Sequence, residues 1–213
     1  MRSHMTNDGA VLSIQGLSRR FGSREVVRSL DLSMARGERI ALWGPNGSGK
    51  TTVLRCVAGT LTPTAGRVEI VGHPAGALQA RRLVGASLAQ ERSFYLRLSG
   101  HANLMFFARL RYDSEREAAA GVAALEDELE LGEIARQRAD RCSSGMIQQL
   151  AIARALLGDP AVILLDEPTK SLDADARGRL WAAIDRRPNA AVLFATHLDS
   201  DLEHCDERLS FPV

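Results

Sequence analysis

The stretch Gly44-Pro-Asn-Gly-Ser-Gly49-Lys50-Thr51 decides the fold class of this chain of 213 residues. It matches the pattern G-x-x-x-x-G-K-S/T, whose glycines let the backbone wrap closely and point its N–H groups at phosphate oxygens. Lys50 adds a compact positive charge, and the Thr51 hydroxyl is a ligand type that Mg²⁺ accepts. Glu38–Trp43 predicts a strand before the loop, and Lys50–Gly59 predicts a helix after it, whose N-terminal dipole favours anions.

A second motif places two carboxylates after an apolar run, in Val162-Ile-Leu-Leu-Asp166-Glu167-Pro168. Ligands of an open parallel sheet bind at the carboxyl ends of its strands, which is where this pair would lie. One carboxylate can serve Mg²⁺ while the other polarises an attacking water. The alternative is that Asp-Glu-Pro only ends a strand and begins a turn. The phosphate-binding pattern earlier in the chain favours the functional interpretation.

Short apolar runs alternate with longer helical patterns, which predicts an α/β fold. Together with the phosphate-binding pattern, this indicates a P-loop NTPase core. Late runs without polar interruption suit a buried parallel sheet covered by helices on both faces, and the early runs indicate an antiparallel β portion near the N-terminus. Besides Glu38–Trp43, the predicted strands are Val11–Ile14, Val26–Leu32, Gly66–Val71, Val84–Ala89, Ala161–Leu165 and Ala190–Ala195. Besides Lys50–Gly59, the predicted helices in this core are Ile147–Leu157 and Ala174–Arg186.

The middle of the chain differs from the rest because it has helical patterns and no strand signal. His101–Tyr112 is aromatic with helical spacing, and Ser114–Leu131 is an amphipathic stretch rich in Ala and Glu. Ser114-x-x-Glu117 is a capping box that would begin the second helix. We predict a helical subdomain, residues 91–145 approximately, inserted into a single domain of residues 6–213. Residues 1–5 have the character of a cloning remnant and are left out of the fold prediction.

Composition excludes several classes of function. There are 27 basic and 26 acidic residues, for a net charge of +1, so nothing indicates a general binder of polyanions and no nucleic-acid partner is expected. No apolar run approaches the ~18–20 residues that a membrane span needs. Cys56, Cys142 and Cys205 are odd in number, widely spaced and without a CxxC pair. They indicate a reducing, cytoplasmic setting with neither a disulfide framework nor a zinc site.

Five further motifs complete a family resemblance. They are Cys142-Ser143-Ser144-Gly145-Met146, which is similar to the signature L-S-G-G-Q, Ser171-Leu172-Asp173 at a D-loop, His197 after a strand, Gln90 after another strand, and Phe21 before Gly22. With the two motifs above, the chain resembles the nucleotide-binding subunits of ATP-binding cassette (ABC) transporters from Val11 to about Phe211. The resemblance implies an ATPase that works as a dimer and drives a separate integral membrane permease subunit from the cytoplasmic face of the membrane.

The resemblance also implies roles for individual residues. The catalytic group would be Glu167 as general base, with His197, Gln90 and Lys50. Mg²⁺ would be held by Thr51, Gln90 and Asp166. ATP would contact Phe21, Gly44, Pro45, Asn46, Gly47, Ser48, Gly49, Lys50, Thr51, Thr52, Ser143, Ser144, Gly145, Met146 and Asp173. Each ATP would lie between the phosphate loop of one subunit and the signature of the other, in a homodimer or a pair of different cassettes.

Several of these residues have a plainer alternative when taken alone. Ser143 would more often be an ordinary helix N-cap, and Asp173 could simply cap the helix that begins at Ala174. Phe21 would more often be a half-buried packing residue. His197 would more often be a polar residue at a strand end, and Gln90 alone carries no information.

Departures from the family pattern refine the prediction. Cys142 and Met146 replace the Leu and Gln of the commonest signature, and Gln149 stands where relatives usually have Arg. Ser-Ser-Gly-Met resembles a variant of exporter-type relatives. The segment from Glu91 to Phe107 is similar to the region of ABC-2 exporters that grips a coupling helix of the membrane subunit. Phe94 and Tyr95 are the predicted contacts, although aromatic side chains there could instead fill the core of the helical subdomain.

Two other function classes stay open at this point. One is a cassette ATPase that acts on DNA or ribosomes, although relatives of that kind carry coiled coils, zinc insertions or paired cassettes. The other is a regulatory cassette that binds ATP without turnover, against which Lys50, Asp166, Glu167 and His197 argue.

The lysine content singles out one residue. Of the 27 basic residues, 25 are Arg, and only Lys50 and Lys170 are Lys. A compact ammonium fits between phosphate groups where the planar fork of Arg does not. Lys50 is therefore expected to be kept by its chemistry, whereas Lys170 has no such requirement.

Overall fold

The computed structural model describes residues 9–88 and 94–211. Its centre is a parallel sheet with the strand order β6-β7-β8-β3-β9. The strands are β3 (Arg39–Trp43), β6 (Val84–Ser87), β7 (Val162–Asp166), β8 (Ala191–Thr196) and β9 (Glu207–Ser210). All four neighbouring pairs are parallel, which confirms the predicted mainly parallel sheet. The edge strand β9 was missing from the sequence prediction because exposed charged residues leave it without an apolar run.

A second, antiparallel sheet carries the N-terminal part of the chain in the order β2-β1-β4-β5. Its strands are β1 (Leu12–Phe21), β2 (Arg24–Met34), β4 (Ala65–Ile70) and β5 (His73–Pro74). The predicted antiparallel β portion is therefore confirmed, although β1 is longer than the predicted Val11–Ile14. Its second half is polar and partly exposed, so alternation of polar and apolar residues did not identify it.

The parallel sheet separates two hydrophobic cores, as the alternation of side chains along β7 shows. Val162 and Leu164 belong to a core with helix α1 (Lys50–Val57) and the antiparallel sheet. Ile163 and Leu165 belong to a core on the other face, with helices α6 (Ser144–Leu156) and α7 (Ala174–Asp185). Every residue of β7 and β8 is buried because both faces are covered, which explains their unbroken apolar runs.

Helices fill the middle of the chain, after the short helix α2 (Leu78–Leu83). They are α3 (Gly100–Ala108), α4 (Glu115–Glu128) and α5 (Gly132–Arg136), followed by a 3₁₀ turn over Ala139–Arg141. The predicted capping box of Ser114 and Glu117 is present at the start of α4. In residues 9–88 and 94–211, no helix is both long enough and apolar enough to cross a membrane.

An ion-pair cluster joins α4, in the helical middle of the chain, to the end of α7, in the parallel-sheet part. Glu128, at the end of α4, accepts hydrogen bonds from Arg187 at 2.9 and 3.0 Å and from Arg186 at 3.2 Å. The side chains of Glu128 and Arg187 are 16% and 15% exposed. Mainly through the hydrogen bonds from Arg187, the cluster lowers the pKa of Glu128 below its ordinary value of 4.5.

Glu128→Gln is expected to lower the free energy of unfolding by about 1 kcal/mol at pH 7, because charged hydrogen bonds are lost from a largely buried pair. A carboxyl group with a lowered folded pKa stabilises the fold above its unfolded pKa and loses that effect as the pH falls through the folded value. The difference between variant and wild type should therefore shrink below pH ~4.5. Urea unfolding of both proteins at pH 7 and at pH 4 measures this difference in the free energy of unfolding. An equal difference at the two pH values would show that it does not come from the charge of Glu128.

Candidate nucleotide site

The predicted phosphate loop connects the carboxyl end of β3 to the first residue of α1. Lys50 is only 5% exposed, and its ammonium donates hydrogen bonds to the carbonyl oxygens of Gly44 at 2.6 Å and Pro45 at 3.0 Å. An ammonium has three N–H donors, so one remains for an oxygen placed inside the loop. The two carbonyls hold the Lys50 charge across the loop, where phosphate oxygens would lie.

The glycine at the end of the loop lets the backbone enter helix α1. Gly49 is the N-cap of α1 with φ 110°, a left-handed conformation that side-chain-bearing residues rarely adopt. A Cβ atom there would lie 2.8 Å from the carbonyl oxygen of Val26. Within residues 9–88 and 94–211, no side chain caps the helix N-terminus, so its first N–H groups are available to an anion.

The loop and the end of β7 meet at one cavity. It has a volume of about 200 Å³ and is lined by Val26, by residues 46–52 and by Asp166 and Glu167. The Thr51 hydroxyl donates a hydrogen bond of 2.8 Å to Asp166 Oδ2. A hydroxyl and a carboxylate oxygen at this distance form the hard oxygen donor set that Mg²⁺ prefers, so these two residues fit the predicted metal.

Glu167 and His197 form the second half of the site. Glu167 Oε2 lies 2.7 Å from His197 Nδ1, and their side chains are 14% and 37% exposed. The backbone N–H of Glu167 donates to Ala195 O at 2.8 Å, which ties the end of β7 to β8. Glu167 has φ 51°, a strained conformation for a residue with a long side chain. A strained backbone conformation persists only where the surrounding structure enforces it, as at functional sites that fix the direction of a side chain.

The signature segment begins helix α6, as the sequence predicts. Ser143 is the N-cap and accepts a hydrogen bond of 3.2 Å from the N–H of Met146. The Met146 sulfur in turn accepts the N–H of Ser143 at 3.4 Å and so completes a capping box. This is the position of the family's Gln, whose side chain can make the same bond. Met146 in place of Gln therefore keeps the start of the helix intact. Ser143 is a helix N-cap, which is the alternative role that the sequence alone favoured for it.

Gly145 packs the signature directly against the D-loop. A Cβ atom on Gly145 would lie 2.5 Å from the carbonyl oxygen of Ser171, so the close approach requires glycine. Ser171 itself has φ 72°, a left-handed conformation that is uncommon for a residue with a side chain. Asp173 caps helix α7 by accepting the N–H of Ala176 at 2.8 Å. The exposed side chain of Lys170 lies in the same turn, and nothing in the structure explains it.

Some predicted site residues do not meet the others within this chain. Phe21 ends β1, is 48% exposed and lies under the guanidinium of Arg19, 4.6 Å from its ring centroid. In the described residues, the cavity lining contains neither Phe21 nor the signature residues 143–146. Gln90 lies outside the described residues. In those same ranges, no cluster of three or more His, Cys, Asp or Glu side chains forms another metal site, and the three cysteines are unpaired.

Several residues near the site had no motif to identify them. A Cβ atom on Gly44 would lie 2.4 Å from the carbonyl oxygen of Phe211, a buried residue after β9, so the end of the chain supports the loop. Val26 reaches the cavity from the antiparallel sheet. Thr169 and Asp201 form a buried hydrogen bond beside the Glu167 turn. Because these contacts join distant parts of the chain, no local pattern could point to them.

Comparison with known proteins places the site in a family. The family model for ABC transporters matches residues 27–170. The daunorubicin resistance ATP-binding protein DrrA3 of Streptomyces coeruleorubidus is 32% identical over 93% of this chain and 64% of its own length. The Nod factor export ATP-binding protein I of Rhizobium johnstonii is 32% identical over 93% of this chain and 65% of its own length. The chain thus spans slightly less than two thirds of these relatives.

Solved structures agree with this assignment. One, described as an ATP-binding subunit of an ABC transporter, superposes with a TM-score of 0.85, is 27% identical and covers 94% of this chain and 85% of its own. Another, the dimeric ATP-binding cassette MJ0796 in a post-hydrolysis state with ADP and Pi, has a TM-score of 0.85 at 22% identity and covers 94% of both chains. Because the ABC transporter model matches residues 27–170, more than half of this chain of 213 residues, the chain belongs to the ABC transporter family.

Proposed function

We propose that this chain binds and hydrolyses ATP as the cassette subunit of a transporter. The observation that carries the proposal is the single cavity that brings Lys50, Thr51, Asp166 and Glu167 together, with His197 in contact with Glu167. The cavity thus combines a phosphate-binding loop with a carboxylate that can act as a base. Family membership and the ADP- and Pi-bound state of the similar cassette support it.

In this proposal the residues divide the chemistry. The Lys50 ammonium and the N–H groups at the start of α1 bind the β- and γ-phosphates and stabilise the charge that builds up during transfer. Mg²⁺, when held by Thr51 and Asp166, neutralises phosphate oxygens. Glu167 accepts the proton of the attacking water, and His197, 2.7 Å from it, orients Glu167 and that water. Gln90 keeps its predicted contact with Mg²⁺, and Phe21 keeps its predicted contact with ATP.

Dimerisation follows in the proposal from the position of the signature. Residues 143–146 do not line the cavity of their own chain, yet they begin a helix whose dipole suits an anion. A second copy, or a paired cassette, would bring its signature over this cavity and enclose ATP between the two subunits. The dimeric state of the similar cassette supports this arrangement.

An exposed apolar patch marks the proposed contact with a membrane permease subunit. The docking patch consists of Tyr95, Leu96, Leu98, Phe106 and Leu110, which are between 37% and 62% exposed. The rings of Tyr95 and Phe106 pack at 4.8 Å, whereas Phe94 is 8% exposed and packs inward on Phe107. Of the two predicted contacts, Tyr95 is exposed and would meet the partner, whereas Phe94 fills the core.

A cavity lined by arginines lies beside the docking patch. Among the described residues, the lining of a cavity of about 350 Å³ includes four arginines, Arg55, Arg81, Arg111 and Arg154. Arg154 lies 5.0 Å from the ring centroids of both Phe94 and Phe107, next to the patch. Burial, with the charge of Arg111, lowers the pKa of Arg154 to about 10, so it stays charged at neutral pH. The partner segment would present apolar side chains to the docking patch at the cytoplasmic face of a membrane. The export names of relatives such as the Nod factor protein support outward transport.

A photo-crosslinker at position 95 is expected to capture an integral membrane protein in native membranes, because Tyr95 is the exposed ring of the docking patch. The matched control is the same crosslinker at Glu207, which is exposed on the edge strand β9 of the parallel sheet. Mass spectrometry of the crosslinked product identifies the partner. Equal capture from both positions would contradict a specific docking patch.

Phosphate release from ATP tests the enzymatic part of the proposal. The purified chain is expected to release phosphate in the presence of Mg²⁺ and to stop when the metal is chelated, because Thr51 and Asp166 form the hard oxygen donor set. Binding of ATP without any release would instead favour the regulatory cassette.

A further inference from the structure

One buried carboxylate joins the two turns that carry Glu167 and His197. Asp201 is 1% exposed and accepts a hydrogen bond from the Thr169 hydroxyl at 2.7 Å and another from the Thr196 hydroxyl at 2.6 Å. Each of its oxygens takes one of these bonds. Thr169 and Thr196 are 2% and 0% exposed, so all three side chains are sealed from solvent.

The two threonines lie next to the reacting residues in the chain. Thr169 follows Glu167 by two positions, in the turn closed by the hydrogen bond from Lys170 N to Glu167 O at 3.2 Å. Thr196 ends β8 directly before His197, and its hydroxyl also accepts the N–H of Leu198 at 3.0 Å. Asp201 therefore holds both sides of the contact between Glu167 and His197.

We propose that Asp201, through Thr169 and Thr196, is a positioning residue that sets the distance between the general base Glu167 and His197. We call Thr169, Thr196 and Asp201 together the carboxylate clamp. The proposal rests on the proposed ATPase function and adds to the site a group that touches no substrate. It fits the strained backbone of Glu167, whose φ of 51° needs support from its surroundings. A buried carboxylate with two short hydroxyl donors supplies that support, because leaving any member unpaired is costly.

The clamp predicts a particular kinetic signature. Thr169→Val removes one hydroxyl at constant shape and is expected to lower kcat for ATP by about 10- to 100-fold, because a small misplacement of a reacting group is enough. KM and ATP affinity should stay within about twofold, since Lys50 and the loop are untouched. Thr169→Ser keeps the hydroxyl and should restore most of kcat. Adding Asp201→Asn to Thr169→Val should cost less than the sum of the single effects, as expected for members of one network.

The experiment measures kcat, KM and thermal unfolding of these variants beside Thr62→Val, an exposed control, and determines the crystal structure of Thr169→Val. The distance from Glu167 Oε2 to His197 Nδ1, 2.7 Å in the wild type, should lengthen beyond hydrogen-bonding range. Wild-type kcat in Thr169→Val with only a lowered melting temperature would overturn the proposal and leave a structural role. An unchanged distance between Glu167 and His197 in Thr169→Val would overturn the proposal as well. Absence of phosphate release by the wild type would count against the ATPase function alone, and the distance test would still decide the proposal about Asp201.

Discussion

Glu167→Gln is expected to lower the rate of ATP hydrolysis by about 10²- to 10⁴-fold while ATP still binds. The amide has the shape of the carboxylate but cannot take the proton of the attacking water. Lys50, Thr51 and Asp166, which are proposed to hold the phosphates and the metal, keep their contacts. Because ATP would then persist between two cassettes, a dimer that depends on ATP should accumulate. Phosphate release and size-exclusion chromatography with and without ATP measure the two effects.

The matched control for this substitution is Glu207→Gln, which makes the same chemical change on the exposed face of β9. It should hydrolyse ATP at the wild-type rate. Full activity in the Glu167 variant would show that another group accepts the proton, and the role of His197 beside it would then have to be reconsidered. Loss of ATP binding would instead show that Glu167 supports the cavity and is not a base.

Local patterns in the sequence were enough to predict most of the fold and one half of the site. The loop from Gly44 to Thr51 and the run ending at Asp166 and Glu167 were recognisable because strand, turn and helix chemistry lie within a few residues of each other. The apolar runs of β7 and β8 identified a buried parallel sheet for the same reason. Polar second halves of strands and the charged edge strand β9 escaped, since burial of their few apolar side chains depends on neighbours far away in the chain.

Contacts between distant segments are what the sequence could not show. The partners of Asp201 lie five and 32 residues away, on two different turns. The inward direction of Phe94 and the outward direction of Tyr95 depend on where Phe107 and Phe106 lie on α3. The packing of Gly145 on Ser171 likewise exists only once α6 and the turn after β7 are folded against each other. In each case the residue type was visible but its neighbour was not.

Gly145→Ala is the second large effect that the structure predicts. The added Cβ would lie 2.5 Å from the backbone carbonyl oxygen of Ser171, and backbone cannot give way as a flexible side chain does. Either the start of α6 or the D-loop must shift, and the start of α6 belongs to the surface proposed to meet the second cassette. We expect ATP hydrolysis to fall by about 10²-fold, because a shift near 1 Å is enough to disrupt an assembled site.

Binding of ATP to the monomer should survive Gly145→Ala, because the cavity lining does not include residues 143–146. The ATP-dependent dimer of the Glu167→Gln variant should disappear when Gly145→Ala is added, which separates assembly from chemistry. The control is Gly178→Ala in α7, where a Cβ meets nothing within 4 Å. There alanine should raise the free energy of unfolding by about 0.5–1 kcal/mol through helix propensity, without affecting hydrolysis. A Gly145 variant that dimerises and hydrolyses like the wild type would show that the signature tolerates a shift, and that its close packing on Ser171 serves folding and not the enclosure of ATP.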